Sequence, residues 1–205
     1  MNQATNNKSP RVVLITGTPA AGKTTISGLL AKAAGISHSI GTDTVRDILR
    51  TAISKKDLPT LHMPAILACD LAPENEDKKI WGFIEQAEIL EKSVEAIVKA
   101  TIEEKKDLIL EGIHLIPGTL SKRDNINIFH IVLKVKDLDQ LEKQMKTQHG
   151  GIAPYKLRNI DRAWAFQEYL VDKTTEQKSI ALENLYGSPE KTAENIAKIL
   201  RQSNA

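Results

Sequence analysis

Residues 17–24 read Gly-Thr-Pro-Ala-Ala-Gly-Lys-Thr, and this Gly-x-x-x-x-Gly-Lys-Thr string follows the apolar run Val12-Val13-Leu14-Ile15 and precedes a helix-like stretch from Thr24 to Ala34. Strand, glycine loop and helix in that order make a phosphate cradle. The glycines let successive N–H groups curl toward an anion at a helix N-terminus, where the macrodipole also favours negative charge. The pattern predicts that Gly17, Thr18, Ala20, Ala21, Gly22, Lys23, Thr24 and Thr25 hold ATP, with Lys23 reaching the β and γ phosphates and Thr24 ligating Mg²⁺.

Such a loop also constrains the fold, since it belongs at the end of a strand in a sheet flanked by helices. Further strand-like runs lie at Ser37–Gly41, Asp107–Glu111, Ile126–Val135 and, weakly, Ser179–Asn184, each separated from the next by a helical pattern. The expected architecture is α/β: a three-layer P-loop kinase fold with a parallel five-stranded sheet, flanking helices and a lid. From Trp81 to Lys105 apolar residues recur at helical spacing, so one long helix is expected there. Residues 55–79 hold Pro59, Pro64 and Pro73, which predicts an irregular insertion with a short helix near Pro64–Asp70. Ser188-Pro189-Glu190 should start a final helix reaching about Leu200.

A chain of 205 residues suits a single domain, here 11–205, with residues 1–10 expected to be disordered. Lys and Arg total 28 against 26 Asp and Glu, too even a balance for a partner as anionic as nucleic acid. A single cysteine, Cys69, excludes an internal disulfide, and no apolar run suggests a signal peptide or a membrane span, so a cytoplasmic protein is expected.

Three constellations carry chemistry. Leu108-Ile109-Leu110-Glu111 is an apolar strand ending in an acid, where a carboxylate can orient Mg²⁺. His114, in the loop that follows, is a candidate substrate contact or a structural hydrogen-bonder. Asp43 lies just past another strand with Arg46 one helical turn on. Capping would account for Asp43, but beyond a strand's carboxyl end the pair also suits an acceptor hydroxyl and an anionic group. Finally, His149-Gly150-Gly151-Ile152-Ala153-Pro154 reads as a hinge before a helix bearing Lys156, Arg158 and Arg162, and the two arginines, four apart, would share a face. Residues 146–165 are therefore expected to form a lid, with Arg158 and Arg162 as catalytic cations over the phosphates; a solvated cationic face is the plainer reading. Lys122 and Arg123 are weaker anion contacts.

Taken together, the P-loop, Gly41-Thr42-Asp43-Thr44-Val45-Arg46, Gly82-Phe83-Ile84-Glu85-Gln86-Ala87, Glu111-Gly112-Ile113-His114-Leu115-Ile116-Pro117-Gly118 and Phe166-Gln167-Glu168-Tyr169-Leu170 resemble the 2-phosphoglycerate kinase family, which also takes in mevalonate-3-phosphate 5-kinase. The likeness runs from about Arg11 to about Leu170. It implies that Glu111 and His114 are site residues, and it adds Glu85 and Gln86 as substrate contacts, which periodicity alone would leave on a polar helix face. Longer archaeal members carry an additional nucleotide-sensing domain, whereas about ten residues precede the first strand here, so regulation of that kind is not expected.

The resulting expectation is an ATP- and Mg²⁺-dependent kinase acting on a hydroxyl of a small phosphorylated carboxylate. Lys23, Asp43, Glu111, Arg158 and Arg162 would be catalytic; Asp43, Arg46, Glu85, Gln86, His114 and Arg123 would bind the acceptor; Thr24 and Glu111 would hold the metal. Mevalonate 3-phosphate is the first acceptor considered, because Leu58, Leu61, Met63, Ile66 and Leu67 in the insertion could meet a branched carbon frame; 2-phosphoglycerate is the alternative. A nucleotide-dependent switch is remote, since neither Asp-x-x-Gly after the third strand nor Asn-Lys-x-Asp is present.

Overall fold

A computed structural model describes residues 9–120, 127–147, 154–177, 179–185 and 187–202. Five parallel strands, β1 (Arg11–Gly17), β2 (His38–Gly41), β3 (Leu108–Glu111), β4 (Asn127–Lys134) and β5 (Ile180–Glu183), form one sheet in the order β2-β3-β1-β4-β5. The helices are α1 (Lys23–Ala34), α2 (Thr42–Ala52), α3 (Ala65–Ala68), α4 (Trp81–Glu103), α5 (Leu138–Thr147), α6 (Pro154–Arg158), α7 (Ile160–Gln177) and α8 (Pro189–Gln202).

Every residue of β1 is buried, and its side chains alternate between two cores. Val13 and Ile15 join Ile26, Leu30, Phe83 and Phe166 on one face, while Val12 and Leu14 join Val94, Val98, Leu108 and Leu110 on the other. Burial on both faces is what turns a strand into a continuous apolar run, and it makes the molecule three layers deep. Phe83 of α4 and Phe166 of α7 meet with ring centroids 4.8 Å apart, tying helices from distant parts of the chain into one core.

All five expected strands form: β1, expected over Arg11–Thr16, runs one residue further to Gly17, and β2 to β5 are trimmed by a residue at one or both ends. Asp107 falls outside β3 because its carboxylate serves another purpose: it accepts from the Arg11 amide at 2.7 Å and from Arg11 Nε at 2.9 Å. Arg11 Nη2 also donates to the Ala34 carbonyl at 3.2 Å, so one side chain joins the start of β1, the approach to β3 and the end of α1.

The insertion folds as 3₁₀ turns at Thr60–His62 and Cys69–Leu71 on either side of α3. A Cβ at Gly82 would stand 2.8 Å from that of Ala68, so α3 and α4 touch backbone to backbone. Of the apolar residues expected from sequence to meet an acceptor, Leu58, Leu61, Met63, Ile66 and Leu67, Ile66 lines the cleft and the others do not. Leu61 is fully buried with Val45 and Leu90, Leu58 packs on that cluster, and Leu67 packs on the main core, because an insertion this short has no interior of its own. No helix among the described residues is long and apolar enough to cross a membrane.

Candidate active site

β1 is flanked by β3 and β4, strands reached by connections of opposite sense, and a crevice opens at that switch point beyond the strands' carboxyl ends. The loop 17–24 lies in it. Gly22 takes a left-handed φ of 86°, and a Cβ there would come 2.5 Å from Asn184 Nδ2, so only glycine fits. Ala20 is also left-handed, at φ 65°, a conformation an alanine holds only when its surroundings enforce it. Two contacts do so: the Thr18 hydroxyl donates to the Ala163 carbonyl of α7, and Asn184 Nδ2 donates to the Ala21 carbonyl at 2.8 Å. Thr18 and Ala21 are fully buried, and the Ala21 amide is spent on the Thr18 carbonyl at 3.1 Å; the walls of the cleft are Pro19, Ala20 and Gly22 to Thr25.

Lys23 Nζ donates to the Gly17 and Thr18 carbonyls at 3.0 Å each. Burial draws its pKa below the usual lysine value, opposed by Glu111 and Asp43 and assisted by the like charge of Lys156. The sheet register places Glu111 beside Ile15 on one side and Gly41 on the other. From there its Oε1 accepts from Thr24 Oγ1 at 3.0 Å. A hydroxyl and a carboxylate are hard oxygen donors suited to Mg²⁺. Among the described residues no group of three or more His, Cys, Asp or Glu is poised for a metal, so the remaining ligands would be phosphate oxygens and water.

The cleft, of about 760 Å³, continues past the loop to a second end formed by Asp43 and Arg46 of α2, Pro64, Ala65 and Ile66 of the insertion, and Ile113. Arg46 Nη1 lies 3.3 Å from Asp43 Oδ1, with Asp47 at 3.7 Å. The arginine side chain is 13% exposed and the Asp43 side chain 73%, so the carboxylate projects into the crevice over a seated guanidinium. Tyr155 and Lys156 of α6 also line the cleft. Burial raises the Tyr155 pKa, with Arg46 opposing and Asp43 adding.

Several expected residues stand elsewhere. Arg158 and Arg162 do not share a helix face, because the chain breaks between α6 and α7 at Asn159, whose Nδ2 donates to the Tyr155 carbonyl at 2.8 Å and whose own carbonyl accepts from the Arg162 amide at 3.1 Å. Arg158 is exposed and off the cleft wall. Arg162 is absent from the cleft wall: it donates to the Ile66 carbonyl at 2.9 Å and to Asp70 at 2.7 Å. Gln86 and His114, expected to touch substrate, are 0% and 3% exposed and are bonded to one another at 3.0 Å, and neither is on the cleft wall. Glu85 is also absent from the cleft wall; its Oε2 is buried without a partner, and burial raises its pKa, with Glu88 adding and Thr60 opposing. Lys122, Arg123 and the hinge at 149–153 lie outside the described residues.

Tyr155, Lys156 and Asn184 are among the wall residues that sequence reasoning passed over as site members, together with Gln144, Thr147, Leu185, Gly187 and Pro189. Asn184 follows a weak strand just before a turn, where an asparagine ordinarily signals only the turn.

The chain matches a family model described as an AAA domain over residues 13–150. It is 31% identical over 177 residues to a 2-phosphoglycerate kinase of Thermococcus kodakarensis, covering 84% of this chain and 61% of that protein. To the 2-phosphoglycerate kinase of Pyrococcus furiosus it is 32% identical over 183 residues, covering 87% and 60%. The chain thus spans about three fifths of these relatives' length. Its fold resembles that of a shikimate kinase from Acinetobacter baumannii solved with shikimate, at a TM-score of 0.54 and 12% identity over 96% of both chains. It also resembles that of a sugar kinase from a Janibacter species, at a TM-score of 0.52 and 18% identity over 94% of this chain and 95% of that one. With its phosphate loop, its sheet order and its sequence all in agreement, the chain belongs to the 2-phosphoglycerate kinase family of P-loop kinases.

Proposed function

We propose that the protein is an ATP-dependent kinase that phosphorylates a hydroxyl of a small hydroxy acid already bearing a phosphate. The observation that carries this reading is the two-ended cleft: a phosphate loop at its centre and, at one end, an Asp43–Arg46 pair set against a short apolar wall. The Lys23 ammonium and loop amides would stabilise charge on the transferred group, and Thr24 with Glu111 would hold the metal. Bound there, Mg²⁺ would supply positive charge to neutralise the phosphates. Asp43 orients the acceptor hydroxyl and takes its proton, and Arg46 draws in the acceptor's anionic group. Lys156 supplies the cation that α6 brings to the phosphates.

The names of the relatives support 2-phosphoglycerate as acceptor. The wall of Pro64, Ala65, Ile66 and Ile113 favours mevalonate 3-phosphate, whose branched carbon frame would use it, but most of the insertion's apolar side chains are taken up by the core. 2-Phosphoglycerate therefore ranks first and mevalonate 3-phosphate second. The test is kcat/KM for both acids side by side, with glycerate and mevalonate as controls. The phosphorylated acid should exceed its unphosphorylated counterpart by about 10⁴-fold, because a cationic pocket left without its anion is penalised. Turnover of neither acid would overturn the reading, and a higher value for mevalonate 3-phosphate would reverse the ranking.

A further inference from the structure

Thr42, His114 and Gln86 form an unbroken buried chain under the acceptor end. Thr42 Oγ1 is 2.8 Å from His114 Nδ1, and His114 Nε2 is 3.0 Å from Gln86 Oε1. Gln86 Nε2 donates to the Thr60 carbonyl at 2.5 Å and to the Met63 carbonyl at 2.9 Å. None of the three side chains is more than 3% exposed. The two carbonyls fix the orientation of the Gln86 amide, since only its NH₂ can face them. Its oxygen must then accept, so His114 carries its proton on Nε2 and leaves Nδ1 to accept from the Thr42 hydroxyl. Every donor has one acceptor, and the chain has one direction. Gly112 is part of the same arrangement: at φ 152° it leaves room for Thr42, whose Cγ2 would be only 3.1 Å from any Cβ there.

The ends of this chain matter more than its middle. Thr42 is the first residue of α2, directly before Asp43 and one turn before Arg46. The carbonyls at the other end belong to the turn that leads into Pro64, Ala65 and Ile66, the apolar wall of the cleft. Arg46 closes a loop by reaching the same Met63 carbonyl at 3.5 Å. Neither end touches the phosphate loop.

We propose that Thr42, His114 and Gln86 are positioning residues that hold the acceptor-side carboxylate and the apolar wall in register, and so set acceptor specificity separately from nucleotide binding. The proposal rests on reading the cleft as a kinase site.

Thr42→Val removes the donating hydroxyl while keeping the volume, and Thr42→Ser restores the donor. The expected result for Thr42→Val is a KM for the phosphorylated acid raised about tenfold, a KM for ATP within about twofold of the parent, and recovery in Thr42→Ser. Hydrogen exchange supplies an arm independent of turnover. The Met63, Leu67 and Ala68 amides, which donate to the Thr60 and Pro64 carbonyls, should exchange faster in Thr42→Val, although the substitution lies at the opposite end of the chain. ¹⁵N NMR of the parent protein should show His114 protonated on Nε2 alone. An Nδ1-protonated ring, unchanged exchange at those amides, or KM values for ATP and acceptor that rise together would overturn the relay. If the parent protein phosphorylates neither acid, the kinase reading fails while the exchange and NMR arms still decide the relay.

Discussion

The two halves of the cleft are built by opposite means. The phosphate half comes from nine consecutive residues, 17–25, whose backbone supplies the cradle and whose one mobile cation, Lys23, is seated on the loop's own carbonyls. The half proposed to take the acceptor is assembled from α2, the insertion, the loop after β3 and α6, segments that together span more than a hundred residues of the chain. A contiguous site depends mostly on local backbone geometry. A composite one depends on side chains behind its wall, here Arg162, Gln86 and His114. Damage to the first half should therefore appear in catalysis at nearly constant stability, and damage to the second in acceptor recognition or in stability.

The sharpest form of that contrast is Lys23→Ala. It removes the cation fixed beside the phosphate loop and leaves core and sheet untouched, so kcat should fall about 10³-fold with the melting temperature unchanged. A folded variant of undiminished turnover would remove the loop from the chemistry.

The acceptor half should reveal itself through acid. Burial holds the His114 pKa at about 4 against an ordinary 6.5, with Asp43 raising it and Arg46 and Lys23 lowering it. The unfolded chain therefore takes up this proton below about pH 6.5, while the folded chain declines it until about pH 4. Stability contributed by the neutral ring is complete above 6.5 and is lost as the pH falls through this window, on the order of 3 kcal/mol in all. Denaturant titrations at pH 7, 5.5 and 4.5 measure it. Burial also holds the His130 pKa at about 4, against the Leu115 carbonyl that raises it, so His130 titrates in the same window. His114→Gln should therefore remove about half of the slope seen in the parent, and a slope equal to the parent's would take His114 out of the transition.

Glu111 sits where the halves meet, so its amide tests which one it serves. Glu111→Gln keeps the acceptor for Thr24 Oγ1 but not the charge, and it should lower kcat about 10²-fold with a raised Mg²⁺ requirement. A change confined to the acceptor KM would move Glu111 into the other half.

The same contrast governs what could be read from the chain. The strand-loop-helix motif and the five strands are local patterns, and β1 announces itself as a run of apolar residues because both of its faces are covered. Asp43 and Arg46 were also legible, because a residue just past a strand's carboxyl end points to the crevice in any such sheet. The misplaced residues share one cause. Arg158 and Arg162 look like neighbours on one helix only if the helix is continuous, and the break at Asn159 carries no proline or glycine to signal it. Gln86 falls at a helix position that periodicity assigns to solvent, yet it is buried because two carbonyls of the insertion come to meet it. A side chain recruited by a distant backbone leaves no periodic trace.

Within α6 and α7 the cations can be told apart by a smaller effect. Lys156 lines the cleft and shares its field with Lys23, so Lys156→Ala should cost about tenfold in kcat, while Arg158→Ala, exposed and off the wall, should stay within about twofold. Reversal of that order would restore Arg158 as the cation over the phosphates.

Arg162 gives the smallest expected effect on turnover and the clearest separation of the two roles. Its guanidinium bridges α7 to the insertion through the Ile66 carbonyl and Asp70, and its side chain is 17% exposed while that of Asp70 is 56% exposed. The pair with Asp70 is open to solvent and contributes less than about 1 kcal/mol. The bond to Ile66 is better shielded, and leaving that carbonyl without a donor adds about 1 kcal/mol more. Arg162→Ala should then lose about 1–2 kcal/mol, a fall of about 3–6 °C in melting temperature for a chain of this size. Because Ile66 forms part of the apolar wall, the kinetic trace should be a modest rise in acceptor KM with kcat nearly unchanged. A cation that stabilises the transferred phosphoryl group behaves in the opposite way: kcat would collapse by about 10²-fold or more at constant melting temperature. Measuring both quantities on one variant decides whether α7 acts on the phosphates or, as its contacts indicate, holds the acceptor wall in place.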